Sequence, residues 1–473
     1  MTRNDTPVSV SQGNVPLRIS GALATGVVLQ PLNSSMIAVG LVSLAAAFGS
    51  DVGISWIISA MYVTTAVTAP MAGRLGTLLG ARPVYLSGLL LVIAGSIVGM
   101  FAPSLTWLIV AYAILGAGIS AHLPTAMTMV RSFAERNRRD SRTALTVLVL
   151  CGQTTAAMGP TLGGLLVGAF GWQTLLWVNI PVALLSAVAV MTVDTKPVEN
   201  VAKSAREMLR VLDLSGVGLF LVAVTALMLL LVSIRSTPLW WLLPIVLAAS
   251  VLFVLRERSA EEPFIDVREL ARNRALSWTL GRTLLTQTCI YCFFFGIPQW
   301  LQYSRGMTPI ETGLTMLPVA GVAVMSTMIG SFTLRRFGVR ATLVAGTLAL
   351  LAGGVLIAVV EKSTAPIVVL LVVSAVLGIP NGLNNLGNQS LVNASTTVED
   401  VGTAIGMYRT VQFIGTNLAV VVLQIAAGQE IDDDGLHNTG WFITGVSVVL
   451  LVGVVASRHM PQAVATARQA AID

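Results

Sequence analysis

Thirteen residues of the chain, "NGLNNLGNQSLVN", carry six amide side chains: Asn381, Asn384, Asn385, Asn388, Gln389 and Asn393. Amides donate and accept hydrogen bonds but neither titrate nor attack, so their chemistry is that of holding a polar guest or a polar neighbour. They recur at intervals of three and four, which sets them along one side of a helix. Two arginines stand out elsewhere. Arg282 lies eight residues into a long apolar segment, and Arg409 occurs in "GMYRTVQFIGTN", one turn before Gln412. His122, in "GAGISAHLPTA", is the group in this set whose unperturbed pKa, about 6.5, permits proton exchange near neutral pH.

The elements that must position these groups are membrane helices. Of the 473 residues, 55% are hydrophobic and 11% charged, with mean hydropathy +0.82. Soluble domains carry about a quarter charged residues. Apolar runs of roughly 18 residues or more recur along the chain, each long enough to cross a bilayer as helix. They predict fourteen spans, from 18–47 to 438–458, in an all-α polytopic fold. The polar start "MTRNDTPVSVSQGNVPLRIS" lacks the pattern of a removable signal peptide. Spans seven and eight divide the rest evenly, giving a six-helix bundle over 1–193, two inserted helices with linkers over 194–273, and a second bundle over 274–473. This is the paired-repeat plan of secondary transporters. A weak echo supports it: "GRLGTLLGARP" after span two and "SFTLRRFGVRA" after span ten share a small residue, then Gly80 or Gly338, then Arg82 or Arg340 two positions on.

Positive charge orients the chain. Arg235, Arg305 and Lys362 fall in odd-numbered connections and Arg282 and Arg409 inside spans, leaving 23 of the 28 basic residues in the termini and even-numbered connections. Those segments, including "RSFAERNRRDSR", are therefore expected in the cytoplasm of a cell-membrane protein. The net charge of +6 thus reports topology and does not mark a nucleic-acid surface. Cys151, Cys289 and Cys292 all lie in apolar segments, and the CxxC they include has no second ligand pair, so no metal or cofactor is implied.

The longest motif is "GQTTAAMGPTLGGLLVGAFGWQTLLWVNIP" in spans five and six. It resembles the antiporter motif of the major facilitator superfamily, and within it the fourteen-helix drug:proton antiporter family. Gly159, Pro160, Gly163 and Gly164 match the GPxxGG block, and Trp172, Trp177, Asn179 and Pro181 match the Trp and Asn-x-Pro signature that follows. "GRLGTLLGARP" is similar to the family's loop motif, keeping Gly73, Gly80 and Arg82 as conformational elements. Thr77 and Leu78 stand where that motif has charges. Tyr112 and Leu115 replace an Arg and a Gln before Gly116, and Asn33 stands where many relatives have an aspartate. The resemblance implies export of amphiphilic small molecules, drug-like or lipid-like, by alternating access.

The amides belong to span twelve on length alone. "APIVVLLVVSAVL" supplies only thirteen apolar residues where a span needs about 20. Facing lipid, each unsatisfied group would cost several kcal/mol, so they must face neighbouring helices or a water-filled cavity. Asn381, Asn384, Asn385 and Asn388 are therefore cavity candidates. Gln30, Asn33, His122, Gln153, Gln287, Arg409 and Gln412 join them from other spans. All 22 acidic residues lie outside the spans or at their edges. The expected cargo is accordingly neutral, zwitterionic or anionic. Proton coupling, if present, falls to His122 or to Glu311 near the start of span ten. An uncoupled facilitator or a lipid flippase of the same fold is the alternative. No HExxH, GxSxG or paired intramembrane acids favour an enzyme. The partners implied are the cargo, membrane lipid and protons, with the chain acting as a monomer.

Overall fold

The computed structural model describes residues 13–49, 51–193, 213–233, 238–260, 263, 265, 267–396, 401–428 and 431–457. The linker 194–212, Arg235 and both extreme termini lie outside the described residues. What is described is helix and connection, apart from an isolated bridge pairing Asn14 with Asp140.

The first half contains α1 (Leu17–Val27), α2 (Leu29–Phe48), α3 (Asp51–Leu78), α4 (Ala81–Met100), α5 (Leu105–Ile119), α6 (His122–Arg136), α7 (Arg142–Phe170), α8 (Thr174–Trp177) and α9 (Asn179–Met191). The inserted pair is α10 (Leu214–Ser233) and α11 (Leu242–Ser259), followed by the short α12 (Val267–Arg272). The second half contains α13 (Arg274–Tyr303), α14 (Pro309–Thr315), α15 (Leu317–Val359), α16 (Ile367–Ala394), α17 (Val401–Ala427) and α18 (Asp433–Ala456).

Among the described residues, eleven helical runs are long and apolar enough to cross a membrane. One of them, Pro309–Val359, breaks at Gly338 and so makes two crossings. The inserted helices fall outside this set, so the expected fourteen is not reached by length and composition alone. For α11 the reason is visible: Arg256, Glu257 and Arg258 occupy its last turn and shorten its apolar stretch. There Arg256 pairs with the buried Asp213 at 2.9 Å, and Glu257 accepts from the Ile265 backbone N–H at 2.8 Å. Arg74 of α3 donates to the Pro263 carbonyl, joining the inserted segment to the first bundle.

The sequence echo is a structural one. Gly80 and Gly338 both adopt positive φ, 93° and 81°, where side chains with a Cβ are disfavoured. Two residues on, Arg82 donates to the Met191 carbonyl (3.1 Å) and Arg340 to the Val455 carbonyl (2.5 Å). Each arginine thus meets the carboxyl end of the last helix of its own half, where orphan carbonyls and the helix dipole favour a cation. On the same face, the Val15 N–H donates to the Asp140 carbonyl, the Asp140 N–H to the Gly13 carbonyl, and Arg139 to the Asn14 carbonyl, tying the segment before α1 to the α6–α7 loop. We call this the basic face.

Candidate functional site

Between the two halves lies a cavity enclosing about 1060 Å³ of empty space, its open mouth included. The first half contributes Gln30 and Pro31 of α2, Ser120, Leu123 of α6, and Gln153 of α7. The second contributes Gln287, Tyr291 and Phe294 of α13, Asn381 and Asn385 of α16, and Arg409, Gln412 and Phe413 of α17. Its lining holds six amides, one cation and no Asp or Glu.

The amide stretch is helix throughout. α16 runs unbroken through Pro380 to Ala394, so the polar residues are part of the span. Its amides divide between two tasks. Asn384 and Asn388 are fully buried and accept from Arg282: Nε to Asn388 Oδ1 at 3.0 Å, Nη2 to Asn384 Oδ1 at 3.3 Å. Thr347 of α15 accepts a third bond from Nη2 at 2.7 Å. Arg282 is 8% exposed and is held by neutral groups inside the second bundle. Asn381 and Asn385, by contrast, line the cavity.

There the hydrogen bonds run one way. Arg409 Nη1 donates to Gln412 Oε1 (3.2 Å), Gln412 Nε2 to Asn385 Oδ1 (3.2 Å), and Asn385 Nδ2 to Asn381 Oδ1 (2.7 Å). Each amide oxygen is therefore consumed toward the arginine. Arg409 Nε is buried and has no partner. The apolar wall of Ile290, Tyr291, Phe294 and Phe413 escaped the sequence reading, because aromatic residues in membrane helices are far more often packing than lining.

Other candidates lie elsewhere. Asn33 and Asn179 exchange both side-chain hydrogen bonds, at 2.7 and 3.0 Å, inside the first half. Each also donates to the carbonyl four residues back, so the amide at the aspartate position and the asparagine of the Asn-x-Pro signature satisfy one another. His122 is fully buried, edge-on to Tyr85 at 4.9 Å, with Nδ1 3.3 Å from the Ile119 carbonyl. Its neighbours Ser120 and Leu123 line the cavity, and it is not among the lining residues. Glu311 closes a capping box with Thr308 at the start of α14. Gly73 lies near Pro124, the nearest heavy atom to a Cβ placed there being 3.9 Å away.

The glycine block packs α7 in two directions, against its own half and against the other. A Cβ on Gly159 would strike Ser35, and one on Gly163 would come within 2.8 Å of the Met36 carbonyl oxygen, so α7 packs backbone-close on α2. Gly164 instead abuts the second half, where a Cβ would meet the Pro309 carbonyl and lie 2.9 Å from the Gly313 Cα. Beside it, Thr161 donates to the Gly313 carbonyl at 2.8 Å, and Pro160 supplies a carbonyl against which Gly313 packs. Three more bonds cross toward the face opposite the basic one: Gln302 to the Val39 carbonyl (2.9 Å), Gln424 to Ser55 (2.6 Å) and Ser59 to Asn417 (2.9 Å).

Paired helical bundles around a polar, acid-free cavity, with the halves sealed by small residues on one side of it, define a membrane transport protein. The sequence model of the Major Facilitator Superfamily matches residues 23–420, and the chain belongs to that family. It is 33% identical over 413 residues to the uncharacterized MFS-type transporter YwoD of Bacillus subtilis, covering 87% of this chain and 90% of that one. It is 30% identical over 395 residues to the multidrug resistance protein Stp of Mycobacterium tuberculosis, covering 80% and 69%. The crystal structure of the nucleoside transporter NupG superposes with a TM-score of 0.63 at 14% identity, covering 93% of this chain and 98% of that one, which shows a shared fold. The protein is a multi-pass membrane transporter of this superfamily.

Proposed function

We propose that the protein exports amphiphilic small molecules across the cytoplasmic membrane by alternating access, with its basic face in the cytoplasm. The observation that carries this reading is the cavity: both halves line it, and polar amides and aromatic side chains share its lining. Such a site offers hydrogen bonds to a head and apolar surface to a body. Rocking of the halves about it would open the Gly164–Gly313 seam and expose the cavity on the other side. Similarity to a protein named for multidrug resistance supports the export direction. One chain suffices, because both walls of the cavity come from it.

A second reading, an uncoupled facilitator or lipid flippase, is favoured by the lining itself. It contains no acid, and His122 is turned into the bundle against Tyr85. Proton coupling through this site would need a titratable group that the cargo displaces. Purified protein in sealed liposomes decides both points. Cargo movement that requires the protein supports transport. Unchanged movement with and without an imposed pH gradient, in wild type and His122→Gln alike, selects the uncoupled mechanism. A gradient-driven flux lost in His122→Gln restores the antiporter.

A further inference from the structure

The two intramembrane arginines are satisfied very differently. Arg282 spends its donors on Asn388, Asn384 and Thr347. Arg409 has one long bond, to Gln412, which is itself a neutral acceptor. Its Nε is shut off from water and unpartnered, while the residues lining the same cavity include no carboxylate. A charge in this position is expensive unless something opposes it. No lining residue carries an opposing charge: the amide relay turns its oxygens toward the arginine and so offers dipoles, but Gln412 and Asn385 are neutral and leave the positive charge uncompensated. With Nη1 engaged, the side of the guanidinium bearing Nε and Nη2 is the part left for a ligand. Two parallel N–H groups there match the two oxygens of a carboxylate or phosphate.

We propose that the cargo is a monoanionic amphiphile whose head is received by Arg409 and whose apolar body lies against Tyr291, Phe294 and Phe413. This deepens the transporter reading and rests on it for the word cargo. The binding claim itself stands on the cavity alone. A permanently cationic compound meets an unopposed guanidinium and no acid, so it is excluded from the same site. A carboxylate and an anionic lipid headgroup present the same chemistry, so the test must separate them.

The test uses the full chain purified in a neutral detergent and three probes of one shape: 2-naphthylacetate, its methyl ester, and (2-naphthylmethyl)trimethylammonium. Binding is measured by equilibrium dialysis. The carboxylate is expected to bind about 10- to 100-fold tighter than the ester, the range set by charge-assisted hydrogen bonds. The cation is expected to bind more weakly than the ester. Arg409→Gln should bring carboxylate and ester to equal affinity. Arg409→Lys, which keeps the charge and loses the fork, should retain part of the preference and stands in if the Gln variant fails to fold. Dihexanoyl phosphatidylglycerol displacing the carboxylate at lower concentration assigns the anionic head to lipid, and failure to displace assigns it to a soluble acid. Equal or tighter binding of the cation by the wild type overturns the proposal, as does a carboxylate preference unchanged in Arg409→Gln. Carboxylate binding without flux in liposomes would retire the transporter reading and leave the anion site standing.

Discussion

Gly164→Ala tests the seam between the halves. The added Cβ would fall against the Pro309 carbonyl, 2.9 Å from the Gly313 Cα and 3.0 Å from its N. These are backbone atoms at the start of α14, fixed by a capping box between Thr308 and Glu311, so they cannot swing aside as a side-chain tip would. Overpacking of this kind costs about 1–3 kcal/mol. The helix-propensity gain of replacing Gly by Ala acts equally on both conformations, so it drops out of their ratio. The sealed conformation should therefore lose about 5- to 150-fold in relative population. Nitroxide labels at Gln173→Cys and Lys362→Cys, one on each half at the face opposite the basic one, report the separation by pulsed dipolar spectroscopy, with Cys151 replaced because it is half-exposed. The long-distance population should rise by that factor. Gly321→Ala, where a new Cβ meets nothing within 4 Å, should leave the distribution unchanged. A Gly164→Ala protein that folds and gives the wild-type distribution would refute the seam.

Three further outcomes follow from buried polar groups and topology. Glu361, in the α15–α16 connection, is 1% exposed with neither carboxylate oxygen hydrogen-bonded; burial pushes its pKa up to about 8, against the pull of Arg305. A folded pKa raised above the ordinary 4.5 means its stabilising share is full below that value and is lost as pH rises through about 8. Wild type should thus lose thermal stability across this window relative to Glu361→Gln, and parallel pH profiles would contradict it. Arg282→Met should cost about 1–3 kcal/mol for each amide oxygen left without a donor. Arg409→Gln should cost less in the same thermal-unfolding assay, and the reverse order would mean the two roles are exchanged. A cysteine at Asp434 should react with an impermeant reagent in intact cells and one at Arg138 should not; the opposite pattern inverts the proposed orientation.

Much of the fold was legible because membrane crossing imposes length. The helical runs, the break at Gly338 and the twofold echo around Gly80 and Gly338 follow from apolar run length, glycine and arginine spacing. The inserted pair was less legible, since α11 trades apolar length for the charges that tie it to Asp213 and Ile265. Asn33 shows another limit. Its type announced a polar contact, but only the fold reveals that Asn179, 146 residues away, uses both sides of the amide.

The amides of α16 show why a site is harder to read than a span. At about 100° per residue, Asn381 and Asn385 centre roughly 60° from Asn384 and Asn388 around the helix. In sequence this is one polar stripe, and a single cavity-facing surface is the natural expectation. A 60° turn is nevertheless enough to separate two neighbours when the helix stands at an edge. α16 packs on α15 so closely that Cβ atoms on Gly378 and Gly382 would come within 2.6 Å of the Val319 carbonyl oxygen and the Thr327 amide nitrogen. That approach turns Asn384 and Asn388 into the bundle, to Arg282, and leaves Asn381 and Asn385 at the rim, toward Gln412 and Arg409. The same stripe thus holds one arginine by its amide oxygens and presents the other with its Nε still unpartnered. The charge available to a ligand is set by helix rotation, and rotation is set by the small residues Gly378 and Gly382 that bring α16 against α15.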